Sequence, residues 1–429
     1  MDGAVHSVDS VGFRGWLMFS LSFVAAMSLA AVTLTSLAAM LRFVMFYCAN
    51  QQVTEEVAAK PDVAVVLSLR GVDPSLESCL TALLAQNYDR YSVFIVIDNG
   101  ADPARSVVES VLARSRSKVE VKIDFLRDPG VTRSLKVSAL LQAIAQLRDD
   151  VEIVALLDSD AIPTADWLGR LVAPMADPKV GAVSGLRWYL PQEESWGSLI
   201  RYAYNAISCL AAYALNVPWA GSLAFRRRDL ERCNLLRLWA RSFSDDASTC
   251  RPLRAIGQRL AFVNSGILPS TESADLGGAY RQIVRHMLCM RLCHSSWPLI
   301  VLLALGNLIV ILLCFLLLVS TSTIWQWKLA IAILLCFYWA GMYAALVVID
   351  RTVAAGSPTR RPALLNVRRI LALALIVLVM ARAAIAAMFT RSIEWRGIRY
   401  VVDGGGGVHM LVYRPFASPV DTASTHSIL

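Results

Sequence analysis

The sequence predicts an α/β domain with a mainly parallel sheet, tied to a membrane by about four transmembrane helices. Hydrophobic residues make up 56% of the 429, and the mean hydropathy is +0.53. Long uncharged runs hold that excess, which excludes an ordinary soluble protein. Residues 61–280, between those runs, instead alternate short β-rich and helical segments, as a parallel sheet covered by helices does. Within them, the apolar segment 151–157 ends in Asp158-Ser159-Asp160. That is a buried strand with a carboxylate pair at its carboxyl end, where open α/β sheets build their sites.

Taken in order, residues 1–14 form a polar tail and 15–48 an uncleaved anchor whose stretch 15–41 is uncharged and longer than the ~20 residues a span needs. The soluble domain covers 61–290. In it 62–68, 92–98, 119–125, 151–158 and 180–186 read as strands, with helices over 76–86 and 135–147. Asp73 and Pro74 supply start signals for the first helix. Three further spans are predicted within 296–388, over 296–320, 324–349 and 370–388, and a tail over 389–429.

The net charge of +8 does not call for a nucleic acid. Arg351, Arg360, Arg361, Arg368 and Arg369 sit between the last two apolar runs, as in a cytoplasmic loop. Counting back puts the 61–290 domain in the cytoplasm. Counting forward puts the tail, with Arg391, Arg396 and Arg399, on the other side unless one run is re-entrant. The nine cysteines form no zinc pattern and read as reduced.

Asp158 and Asp160 can converge on one hard cation, Mg²⁺ or Mn²⁺, which prefers oxygen ligands and usually accompanies a phosphate-bearing substrate. Alone, the pair is equally a solvated turn. Further segments sharpen it: Leu69-Arg70-Gly71-Val72-Asp73-Pro74, Asp98-Asn99-Gly100 with Asp102-Pro103-Ala104, Lys136, the loop Trp219 to Arg227, Ser244-Asp245-Asp246, Gln282-Ile283-Val284-Arg285-His286, and Trp395-Arg396-Gly397 to Tyr400. In this order they resemble family-2-type membrane glycosyltransferases, most closely the ceramide glucosyltransferases.

That resemblance implies a GT-A-like nucleotide-sugar-binding domain. It implies an inverting enzyme moving a hexose, glucose from UDP-glucose, onto a membrane lipid hydroxyl such as that of ceramide, without a covalent intermediate. Asp246 is then the candidate general base, with Asp245 raising its pKa. Asp98, Lys136, Asp158, Gln282 and Arg285 bind the nucleotide sugar, and Asp158 with Asp160 hold the cation. Transfer of glucose or N-acetylglucosamine to another lipid, a hopanoid or bacterial glycolipid, is the alternative within the class. An inactive nucleotide-sugar- or lipid-binding membrane protein is the alternative outside it. A bacterial inner membrane and a Golgi-type endomembrane fit the topology equally.

Plainer roles compete at each position. Asp98 and Asp246 could cap helices, the latter one over 247–256. Lys136 could be a solvated helix charge, and Gln282 and Arg285 the polar face of an amphipathic helix. His286 departs from the family's tryptophan, which weakens the acceptor assignment most. The segment 196–217 carries only Arg201 and reads either as an interfacial helix guiding a lipid or as a core helix.

Overall fold

The computed structural model describes residues 5–49, 60–191, 193–354, 366–403 and 407–417. Its elements, in chain order, are α1 (Val5–Ala49), β1 (Val63–Leu69), α2 (Leu76–Leu83), β2 (Tyr91–Ile97), α3 (Ala104–Arg114), β3 (Glu120–Phe125), α4 (Leu135–Ile144), β4 (Ile153–Leu157), α5 (Trp167–Val172), β5 (Val180–Tyr189), α6 (Trp196–Leu215) and β6 (Ser222–Arg226). There follow α7 (Arg227–Arg232), α8 (Leu235–Trp239), α9 (Cys250–Ala255), β7 (Arg259–Ser270), α10 (Leu276–Cys293), α11 (Trp297–Val319), α12 (Trp325–Ala354), α13 (Val367–Phe389) and a small sheet of β8 (Ser392–Trp395), β9 (Ile398–Val402) and β10 (Val408–Met410).

The chain divides into two compact units, residues 46–295 with 386–429, and residues 1–45 with 296–385. The first holds a seven-stranded sheet in the order β3-β2-β1-β4-β6-β5-β7. Strands β1 to β4 run parallel to one another, as their apolar runs require, because helices cover both faces. β1 and β4 are buried over nearly every residue. β6 alone runs antiparallel, between β4 and β5, and pairs Ser222 with Leu157. This reversal carries the glycine-serine loop to the strand end that bears Asp158.

The predicted strands are present with ends shifted by up to three residues, while β6 and β7 were not foreseen. Gly221 and Ser222 read as loop formers, yet Ser222 opens a strand and its hydroxyl accepts the Trp167 indole N–H (2.9 Å). Asp73 does not cap α2, whose N-cap is Ser75. The helix 247–256 shortens to α9, with Thr249 at its N-cap position, so Asp246 is no cap. α3 starts beyond Pro103, which frees Asp98 from that role too. α6 is core over residues 197–206, and Ile200 is only 1% exposed. Its other half, from Ile207, is half-buried, and Tyr213 stacks on Phe46 at 4.7 Å.

The tail belongs to the same unit as the sheet. β8 and β9 join through Arg396-Gly397, both at positive φ, the mirror-type turn that suits a two-residue hairpin. A positive φ at arginine is costly, and here several bonds impose it. Arg396 donates to the Arg70 carbonyl (3.2 Å) and to Asp73 Oδ1 (2.5 Å), and its own carbonyl accepts from Arg70 Nε (2.9 Å). Phe243, Tyr400, Val408 and Met410 close a small apolar core beneath the hairpin.

The second unit packs α1, α11, α12 and α13 through Ala25, Leu29, Ile311, Cys314, Leu335 and Val377. All four are long and apolar enough to cross a membrane.

Candidate active site

Strand ends gather the acids. β4 delivers Asp158 and Asp160, β2 delivers Asp98, and the turn before α9 delivers Asp245 and Asp246. Lys136, in the first turn of α4, is held in place by Ser134, whose hydroxyl caps the helix at Val137. Far from being solvated, its ammonium donates to Asp158 Oδ1 (2.7 Å) and pairs with Asp245 Oδ2 (3.0 Å). One cation thus joins the predicted metal turn to the predicted base pair.

Arg187, on β5, holds the other side. Its guanidinium reaches both Asp160 oxygens (2.6 and 2.8 Å) and Asp158 Oδ2 (3.2 Å), and lies 4.8 Å over the Trp219 ring. Sequence reading missed it, because an arginine inside an apolar strand gave no motif. Asn205 fixes its backbone by accepting from the Tyr189 N–H (2.9 Å) and donating to the Arg187 carbonyl (3.0 Å). Gln282 donates to the Tyr189 hydroxyl (2.6 Å), which itself accepts from Arg187 (3.2 Å). Gln282 therefore joins the same network.

Charge follows from this arrangement. Burial works against ionisation of both Asp158 and Lys136, but Lys136 and Arg187 hold Asp158 below the usual carboxylate range. Asp158 and Asp245 in turn hold Lys136 above its own. Burial pushes Asp245 up to about 6, with Asp246 and Asp158 adding repulsion that Lys136 only partly offsets. Asp246 is half-buried, and its Oδ2 accepts the Ala220 N–H (3.2 Å) while Oδ1 accepts from Ala247 N (2.6 Å) and the Ser244 hydroxyl.

At the other end, Asp98 is 3% exposed. Its Oδ2 pairs with Arg70 (2.6 Å) and accepts the Phe416 N–H (2.8 Å), the Asn99 amide (2.9 Å) and the Tyr413 hydroxyl (3.3 Å). Its Oδ1 is buried without a hydrogen-bond partner among the described residues. The Phe416 ring lies flush on Gly71, where a Cβ would come within 2.5 Å of it. Arg285 lies 5.4 Å from the Trp395 ring, and its charge adds to those that lower the Asp158 pKa. His286 neighbours Tyr204, with ring centroids 5.8 Å apart. Burial, then Arg285 and Arg187, depress its pKa to about 3, so the ring is neutral at physiological pH.

The donor set at Asp158 and Asp160 suits a hard divalent cation. It is all oxygen, the two carboxylates converge on one point, and Gly221 leaves the flank of Asp158 open where a Cβ would stand 2.7 Å from Oδ2. Among the described residues no three His, Cys, Asp or Glu side chains form a ready metal centre. A cation here would draw its remaining ligands from substrate and water.

A mostly parallel sheet with one reversed strand, and acids converging at its strand ends, define a GT-A-like glycosyltransferase. The Glycosyl transferase family 21 model matches residues 20–408, and the chain belongs to that family. It is 28% identical to an N-acetylglucosaminyltransferase of Bradyrhizobium elkanii over 137 residues, 32% of this chain and 71% of that one. It is 29% identical to an N-acetylglucosaminyltransferase of Rhizobium meliloti (strain 1021) over 137 residues, 29% of that protein's length. Among solved structures, a mannosyltransferase from Pyrobaculum calidifontis in complex with GDP-Man and Mn²⁺ covers 85% of this chain and 99% of its own, at 18% identity and TM-score 0.46. A glucosyl-3-phosphoglycerate synthase from Mycobacterium tuberculosis, with Mn²⁺, UDP-Glc and glycerol 3-phosphate, covers 53% and 79% at 19% identity and TM-score 0.32.

Proposed function

We propose that this glycosyltransferase moves a hexose from a UDP-sugar, glucose in the leading case, onto a membrane lipid hydroxyl such as that of ceramide. The observation that carries the reading is Lys136 tying Asp158 to Asp245, which sets an activated carboxylate pair beside a diphosphate-binding turn. Asp246 accepts the acceptor hydroxyl's proton as that oxygen bonds to the anomeric carbon. The bond from that carbon to the diphosphate breaks, and UDP leaves with the electron pair. One displacement inverts the sugar carbon. Lys136 and Arg187 keep positive charge beside the leaving group and orient Asp158 and Asp160. Asp158 and Asp160 would hold Mg²⁺ or Mn²⁺, which would supply further charge neutralisation at the diphosphate. Asp98 and Arg70 serve the nucleoside end of the donor, and Gln282 and Arg285 the diphosphate or acceptor.

The four apolar helices support a lipid acceptor, because they hold the enzyme where such a hydroxyl is found. The two rhizobial relatives favour a second reading, N-acetylglucosamine transfer to another lipid. UDP release by the purified protein in nanodiscs with Mg²⁺ or Mn²⁺ tests both. UDP-glucose and UDP-N-acetylglucosamine are each assayed with and without ceramide. Release from UDP-glucose that depends on ceramide, and falls about 10²–10⁴-fold in Asp246→Asn, is the expected result. Release that is indifferent to every lipid, or unchanged in Asp246→Asn, overturns it.

A further inference from the structure

The charges of Lys136, Arg187 and Arg285 all bear on Asp158. Lys136 and Arg187 are each bound to two carboxylates. Arg285, half-buried on α10, has no ion-pair or hydrogen-bond partner among the described residues. What holds it is the tail of the same compact unit. Its guanidinium carbon lies 5.4 Å from the centre of the Trp395 ring, a cation–π distance.

Trp395 is fixed in turn. Phe243 meets its ring steeply tilted at 5.9 Å and meets Tyr400 edge-on at 5.2 Å. Tyr400 is fully buried, and its hydroxyl accepts the N–H of Leu135 (3.2 Å), the residue before Lys136. The residue after Trp395 reaches the other half of the site. Arg396 donates to Asp73 Oδ1 (2.5 Å), and Asp73 Oδ2 accepts from the hydroxyl of Ser159, which stands between Asp158 and Asp160. Consecutive residues of one hairpin thus touch the unpaired arginine and brace the carboxylate turn. Arg396 does so at φ 53°. That conformation strains an arginine, whereas a glycine would make the same turn freely. The turn alone does not call for an arginine.

We propose that the β8–β9 hairpin is a working part of the donor site, with Trp395 and Arg396 as positioning residues. Trp395 aims Arg285 at the diphosphate. Arg396, through Asp73 and Ser159, holds the Asp158–Asp160 turn in shape for its cation. An aromatic face suits the first task, because it attracts the guanidinium while leaving the N–H donors of its fork free for phosphate oxygens. A carboxylate in its place would compete with the diphosphate for those donors. The inference rests on the reading of a UDP-sugar donor and deepens it.

The test uses the full-length protein and reads binding rather than turnover. Calorimetry with pyrophosphate and Mg²⁺ reports the diphosphate end, and uridine reports the nucleoside end. Trp395→Leu should weaken pyrophosphate about tenfold and leave uridine affinity unchanged. Trp395→Phe keeps an aromatic face and should restore pyrophosphate affinity to within about threefold of wild type. Arg396→Gly keeps the turn and should weaken Mn²⁺ binding, followed by electron paramagnetic resonance without nucleotide, about tenfold. Unchanged pyrophosphate affinity in Trp395→Leu overturns the role of Trp395, and unchanged Mn²⁺ affinity in Arg396→Gly overturns that of Arg396. Equal losses of pyrophosphate and uridine in Trp395→Leu, with a lowered melting temperature, would make the hairpin a structural brace and overturn the proposal as well. A wild-type protein that binds pyrophosphate but not uridine contradicts the UDP reading alone, and the pyrophosphate comparison still decides the role of Trp395.

Discussion

Asp98 and Asp158 both end parallel strands of one sheet, yet their surroundings are opposite in kind. Asp98 is roofed by the chain's own tail and receives a backbone N–H, a phenol and an arginine on a single oxygen. Among the described residues the Asp158 carboxylate is met by side-chain cations, Lys136 and Arg187, each shared with a second carboxylate. The first arrangement is rigid, because backbone donors cannot swing away. The second is a set of movable counter-charges, suited to accepting a cation and a diphosphate. A donor spanning the two would be gripped at one end and neutralised at the other.

Removing the shared cation should break this contrast most severely. Lys136→Met leaves Asp158 and Asp245 buried without their common partner, and such a loss costs about 3–5 kcal/mol. Thermal unfolding should shift down by many degrees and UDP release should vanish. Gly221→Ala comes next. Its Cβ would press on Asp158 Oδ2 and on the Trp219 ring at about van der Waals-violating distances of 2.7 and 2.1 Å. Turnover should fall about 10²-fold or more, as expected when a positioned group is displaced by about an ångström, while circular dichroism stays native.

Asp245 makes a subtler cut, separating stability from activity. Its folded pKa is raised to about 6, so the unfolded chain gives up this proton at lower pH than the native one. The side chain's contribution to stability is then fully present below the unfolded carboxylate pKa and is lost as pH rises through about 6. Asp245→Asn removes that loss. The variant should melt higher than wild type at pH 7.5, should not do so at pH 4, and should turn over more slowly at both. A variant less stable at pH 7.5 would show that the Lys136 pairing outweighs the repulsion.

At the Asp98 end the expected effect is on the tail. A nucleoside reaching Asp98 must share it with the Phe416 N–H, so saturating UDP should speed hydrogen exchange at that amide. Phe416→Ala should expose Gly71 and make the tail a ready protease substrate even without UDP. Unchanged exchange and proteolysis would mean that donor and tail occupy different ground.

The strand-end acids were legible because each closes an apolar run, and a buried strand ending in a carboxylate has few meanings. Lys136, Asp245 and Asp246 were legible only through resemblance; a lysine in a helix's first turn gives no sign that it faces inward. Arg187 was hidden altogether. Its partners lie in a different βα unit, so only the reversed β6, itself read as loop, reveals that β5 runs close to β4. The tail's roof over Asp98 was likewise beyond reach, since more than 300 residues separate the bonded groups. Non-local pairing is what local pattern cannot supply.

The smallest expected effect concerns His286, where sequence suggested a damaged acceptor site. Its imidazole lies beside Tyr204, and burial with the charges of Arg285 and Arg187 lowers its pKa to about 3. A neutral flat ring is a reasonable stand-in for an indole: it keeps an aromatic face and gives up area rather than introducing charge. His286→Trp should therefore change turnover by no more than a few-fold, through KM for the lipid rather than through kcat. His286→Arg, adding a third cation beside Arg285 and Arg187, should lower both. The pH profile sharpens the point, because a neutral histidine contributes no limb between pH 5 and 8. A limb near pH 6.5 in wild type that disappears in His286→Trp would show the ring to be solvated and charged, and the acceptor end of the cleft to be open.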